Sequence, residues 1–222
     1  PLNTVRLVEI ADAGNAYAGG NPPATLPWGD GTVSNPAQKR PPGSMLGVEQ
    51  REWFMDEIKA STARWKIWAN AMPLMPLRLD MSSVPFTDYE DSIFNIDGWA
   101  GYPHEVGILM RLLETAGIAG VVSLSGDHHM HGAGTVQRAT TDPQAKPVAA
   151  DFTVAGISSS PIFEDLTAAA KGDHSDFAQL VYRKGERGVE PTWNITMLHG
   201  VLAAYAYART GSHAASGWLG PN

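Results

Sequence analysis

Hydrophobic and polar positions along the chain change period several times, and each change marks an element. Thr4-Val5-Arg6-Leu7-Val8-Glu9-Ile10 alternates in part and is rich in β-branched residues, which predicts a strand. Ala13 to Gly43 has no period and is dominated by Gly, Pro, Asn and Ala, which reads as a long surface excursion. Gly47 to Ser61 regains a helical period. Leu46, Trp53, Phe54 and Ile58 form its apolar face, with Gly47 as N-cap and Glu49 in the first turn. The Trp and Phe are expected in the core.

Arg64-Trp65-Lys66-Ile67-Trp68-Ala69-Asn70 predicts a second strand that ends on an amide. Met72 to Asp97 is irregular, because Pro73, Pro76 and Pro85 interrupt pairing. Asp97-Gly98-Trp99-Ala100-Gly101-Tyr102-Pro103 is an aromatic turn that opens a helix at Pro103. Tyr102, Val106, Leu109, Met110 and Leu113 make its stripe, and Gly117 suits the position past its end. The run from Val121 follows within a few residues. Strand, helix, strand at this spacing predicts a right-handed βαβ unit with parallel strands. Strand character returns after Gly134 and is clearest over Asp151 to Ile157. Trp193 to Leu198 and Val201 to Tyr207 suggest a hairpin joined near His199-Gly200.

The chemistry concentrates after Leu124, in Ser125-Gly126-Asp127-His128-His129-Met130-His131-Gly132. Ligands of open α/β sheets bind beyond the carboxyl ends of strands, and this cluster lies there. In extended backbone, residues two apart share a side, so Asp127 and His129 would point together and His128 the other way. A carboxylate with a neutral imidazole suits zinc, manganese or iron, or calcium on the oxygen side. The plainer alternative for Asp127 is a bond to backbone amides of the next turn. His131 would complete such a site or donate to its ligand; otherwise it is a loop histidine. His104 falls in a helix's first turn, where a cation is unfavourable, and reads as a surface residue or else as a neutral ring near the ligand; His174, His199 and His213 stand outside any constellation. Neither Gly-x-Ser-x-Gly nor a Walker sequence occurs, so no catalytic nucleophile, acid or base is assigned.

Composition narrows the classes. The 222 residues carry a net charge of -7, are 43% hydrophobic and 18% charged, and include 23 Gly, 16 Pro and no Cys. Disulfide and thiol chemistry are excluded. No basic cluster supports nucleic-acid binding, and no run approaches the length of a membrane span. There is no internal repeat and no second-domain boundary, so residues 1–222 read as one domain. The chain starts at Pro1 without a signal peptide, in what looks like mid-fold.

Four stretches, in order, resemble the PhoD-like alkaline phosphatases and phosphodiesterases, a branch of the calcineurin-like metallophosphoesterases. They are Met45-Leu46-Gly47 with Glu49-Gln50 and Trp53; Ser61 with Trp65-Lys66-Ile67 and Asn70; Asp97 to Pro103; and Val121 to His129. Phe152 to Ser160 extends the likeness. The resemblance implies an α/β layered fold, a β-sandwich flanked by helices, of which this chain is the carboxyl-terminal portion of a single catalytic domain. It is incomplete at its amino-terminal side, because the family's earlier metal-binding motifs are not found.

The resemblance further implies hydrolysis of a small phosphomonoester or phosphodiester at a dinuclear centre, with Asp127 and His129 as late metal ligands. Calcium and iron are the expected ions, with zinc or manganese as alternatives. Asn70, Trp99 and Tyr102 would form the substrate wall or support the ligands. Export to the periplasm or cell exterior is also implied. The competing readings are a catalytically inactive fragment or metal-binding remnant, and a mononuclear hydrolase using Asp127, His128, His129 and His131 alone. The family also tends to carry Arg where this helix has Val106, and an Asp-Thr-Arg-like segment where this chain has Ile10-Ala11-Asp12.

Overall fold

A computed structural model describes residues 3–76, 78, 79, 90, 92, 93, 95–138, 145–160, 182–185 and 188–191. The elements are β1 (Asn3–Thr4), α1 (Val5–Ala13), β2 (Thr25–Trp28), β3 (Gly31–Ser34), α2 (Gly47–Ala60), β4 (Lys66–Ala69), β5 (Arg78–Leu79), β6 (Ser92–Ile93), α3 (Pro103–Thr115), β7 (Val121–Ser125), β8 (Gly132–Val136), β9 (Ala149–Thr153), β10 (Tyr182–Gly185) and β11 (Gly188–Pro191). The fold is mixed α/β. Its main sheet has four strands in the order β4-β7-β9-β8. β4, β7 and β9 run parallel, and β8 returns antiparallel to β9. The sequence reading of β4, α3 and β7 as one βαβ unit matches this parallel pairing.

Gly120 makes the β4–β7 pair start in register. Its φ is +75°, and a Cβ there would lie 2.1 Å from the Arg64 carbonyl oxygen. Only glycine permits both the left-handed backbone and that approach. The Lys66 N–H then donates to the Gly120 carbonyl at 2.8 Å. α3 ends as its sequence predicts: Gly117 is left-handed, its N–H reaches the Glu114 carbonyl, and the Ile118 N–H reaches that of Leu113. This is the Schellman arrangement.

One face of the sheet is buried. Val121, Val136 and Ala149 pack with Ile58 of α2, with Val106, Leu109, Met110 and Leu113 of α3, and with Leu74, Met75 and Trp99. Within this layer Asp151 is fully buried, and it holds the chain before β5 by accepting from the Met75 N–H at 2.9 Å. Burial raises its pKa, and this bond opposes the rise. The other face carries Ile67, Leu124 and Phe152, which are substantially exposed among the described residues.

Four expectations change. Of Thr4 to Ile10 only Thr4 belongs to a strand, and Val5 to Ile10 is helical: Thr4 caps α1 by accepting from the Leu7 N–H, and the helix buries Val8, Ile10 and Asp12. Packing against α3 outweighs the weak β preference of Val and Ile. Trp53 lies 61% exposed, whereas Phe54 stacks on Trp68 and Ile58 is buried. Phe54 and Ile58 are four apart and share a helix face, but Trp53 is five from Ile58 and falls off it. The excursion from Ala13 to Gly43 is on the surface but contains a 3₁₀ turn, Gly14–Gly19, and the β2–β3 hairpin. The α2 N-terminus uses Ser44 in place of a Gly47 cap: the Gly47 N–H donates to the Ser44 hydroxyl at 2.8 Å. The hairpin read over residues 193–207 lies outside the described residues.

Glu105, in the first turn of α3, is fully buried. It accepts from the Ser44 hydroxyl, from the Met45 and Leu46 N–H groups, and from Arg51 at 3.0 Å. Glu105→Ala leaves these donors without their acceptor. A loss on the order of 3 kcal/mol is expected, read as a lower urea midpoint with an unchanged slope.

Candidate functional site

β7 delivers the cluster to the carboxyl edge of the parallel strands, where Ser125 ends the strand. The backbone then leaves the extended region. Asp127 has φ +72° and His129 φ +52°, values uncommon for residues with a side chain. The His128 N–H donates to the Gly126 carbonyl at 2.9 Å, which closes a γ-turn about Asp127. Neighbours over-determine this shape. The Thr153 hydroxyl donates to the Gly126 carbonyl at 2.8 Å. The Val154 N–H donates to the Ser125 carbonyl at 3.0 Å. Non-glycine residues held this way concentrate at ligand and active sites.

The turn overrides the two-residue parity expected from extended backbone. Asp127 is exposed, His128 is buried, His129 is half-buried and His131 is exposed. Burial lowers the His128 pKa, with the nearby Asp127 charge pulling it back up. His129 Nδ1 is buried with no hydrogen-bond partner. Asp127 and His129 are therefore not paired by strand geometry; each is placed by a left-handed kink that the sequence does not announce. His131 stands immediately before β8.

Asn70 follows β4, the neighbour of β7, and its N–H donates to the Leu124 carbonyl at 2.9 Å. Its Oδ1 accepts from the Trp99 indole N–H at 2.9 Å. Trp99 is only 2% exposed and meets Trp68 edge-on, with ring centroids 5.4 Å apart. The Tyr102 N–H donates to the Trp99 carbonyl at 3.0 Å. Tyr102 is half-buried and lines an open cavity of about 660 Å³ together with Asp12 and Trp28 of the β2–β3 hairpin.

Asp12 was not singled out as a site residue by sequence, because the residues around it were read as a strand. Its Oδ2 caps α3 by accepting from the His104 N–H at 2.7 Å, while Oδ1 is buried without a partner. Burial pushes its pKa from 3.8 to about 6; the bond from His104 lowers it and the Glu105 charge raises it. His104 itself is lowered, by burial first and then by the Arg111 and Arg51 charges.

The described residues therefore define an α/β protein with a polar edge where parallel strands end. Its family follows from comparison with known proteins. Residues 16–190 match the family model described as PhoD-like phosphatase, and the chain belongs to that family. Alkaline phosphatase D of Bacillus subtilis (strain 168) is 26% identical over 121 residues, which covers 54% of this chain and 20% of that protein. A solved structure of PhoD shares 25% identity at a TM-score of 0.44, covering 51% of this chain and 20% of the other. The match thus spans about a fifth of the curated relative's length.

The raised pKa of Asp12 has a definite sign. Its folded value is above its unfolded one, so its contribution is fully present below about pH 3.8 and is lost as pH rises through about 6. Asp12→Asn keeps an acceptor for the His104 N–H and removes the buried charge. At pH 7.5 the variant is expected to be more stable than wild type by on the order of 2–3 kcal/mol, with the gap closing toward pH 4. Urea unfolding across that range measures it.

Proposed function

We propose that this protein takes part in metal-dependent hydrolysis of phosphate esters, with Asp127 and His129 as the metal donors it brings. The observation that carries the reading is the kinked Gly126–His129 turn at the carboxyl edge of β7, in a chain of the PhoD-like phosphatase family. His129 Nδ1, buried and unpartnered, suits a donor that awaits a ligand. Calcium with iron, or zinc or manganese, are the ions the donor types allow. The substrate would be a small phosphomonoester or phosphodiester, and export belongs to the same reading. No described helix is long and apolar enough to cross a membrane.

The donors do not make a metal centre by themselves. Among the described residues no three His, Cys, Asp or Glu side chains gather around one point. A divalent ion needs four or more ligands, so a working centre takes donors from beyond the described residues. The second reading is a catalytically inactive fragment or metal-binding remnant of the same fold. What the described residues supply is placement: Thr153 and Val154 hold the turn, and His128 within it is buried.

Metal analysis after dialysis, with assays on p-nitrophenyl phosphate and its bis ester, separates the readings. Bound metal and turnover are expected for a hydrolase. In that case Asp127→Asn and His129→Ala should each cost roughly 10–100-fold or more in metal affinity or kcat/KM. His128→Ala should lower stability and leave the kinetics of the folded fraction unchanged. Equal kinetic losses at His128 and His129 would refute the assignment of metal donors. Metal without turnover leaves the remnant reading.

A further inference from the structure

Asn70 shows an asymmetry that packing alone does not explain. An indole N–H can only donate, so the Trp99 bond fixes the Asn70 amide with Oδ1 toward the ring and Nδ2 turned away. That Nδ2 is buried and makes no hydrogen bond. Leaving a buried donor unsatisfied is costly, and native proteins rarely do so without a purpose. The orienting group is itself rigid: Trp99 sits in the 3₁₀ turn Trp99–Gly101, against Trp68 and under α3. The Asn70 backbone is tied to Leu124 two residues before Gly126, so the free amide stands beside the exit of β7. His129 Nδ1, also unpartnered, belongs to that same exit.

We propose that Asn70 is a ligand-facing donor whose Nδ2–H binds a phosphoryl oxygen at the carboxyl edge of β4 and β7, and that Trp99 is the positioning residue that sets its amide. The inference rests on the phosphoester reading for the identity of the oxygen. The role is neutral donation: no proton leaves the amide, and no bond to phosphorus forms at Asn70. An amide there recognises the oxyanion without adding positive charge. An aspartate of the same shape would still accept from Trp99 but would repel the anion.

The test titrates inorganic phosphate into the intact protein and follows the Asn70 side-chain N–H signals by NMR, with potassium chloride at matched ionic strength as control. A saturable shift of these signals is expected. Asn70→Asp should weaken phosphate binding by about tenfold or more without lowering the unfolding midpoint. Trp99→Phe keeps a packed ring but frees the amide to flip, and should weaken binding by less than Asn70→Asp does. The absence of any saturable Asn70 shift, or phosphate affinity unchanged in Asn70→Asp, overturns the proposal. Turnover of p-nitrophenyl phosphate with unchanged KM and kcat in Asn70→Asp also overturns it, while the hydrolase reading stands. A saturable Asn70 shift in wild type together with weaker phosphate binding by Asn70→Asp, without turnover in wild type, supports the proposal and counts against the hydrolase reading alone.

Discussion

The N-terminal turn of α3 is the point on which the rest of the described structure depends. Glu105 is fully buried there, and its carboxylate collects donors from the chain before α2 and from Arg51 within α2. Asp12, from the end of α1, bonds the His104 N–H in the same turn. Two acidic side chains thus join three helices at one helix start, where the exposed N–H groups and the positive end of the helix dipole favour negative charge. The cost is carried by Asp12, whose carboxyl is pushed up by burial.

This junction reaches the candidate site through the turn just before it. With α3 fixed, Trp99 is held in the core and its indole N–H is directed at Asn70. Asn70 stands beside the exit of β7 because the parallel β4–β7 register puts Ala69 opposite Leu124. The path from Glu105 to Asn70 is one of contiguous packed and hydrogen-bonded groups. It gives a physical reason for a nearly inaccessible tryptophan to matter at an edge that ligands would approach.

The turn after β7 is built on a different principle. Its backbone is held in uncommon dihedrals at Asp127 and His129, and bonds from the end of β9 maintain it. β9 pairs with β7 along its whole length, so a rigid sheet carries the strain. Precise placement of polar groups on a rigid scaffold is what a binding or catalytic site requires.

Much of this was legible in the residues themselves. α2, β4, α3 and β7 follow from periodicity, from Pro103 at a helix start and from Gly117 at a helix end, since these signals act within one or two turns of chain. The family could be read from four short motifs, and the candidate edge from the polar cluster that follows an apolar run. Other features were decided only in three dimensions. Val and Ile in residues 5–10 favour a strand locally, but the Thr4 cap and packing on α3 make a helix. The extended backbone assumed for residues 127–129 does not hold, because the strand ends at Ser125 and hydrogen bonds from Thr153 and Val154, distant in sequence, hold the turn there. Asp12 and Glu105 look like ordinary surface acids in sequence. They are buried because their partners, His104, Ser44, Met45 and Arg51, arrive from other segments, and no local pattern encodes a partner that only the fold brings near.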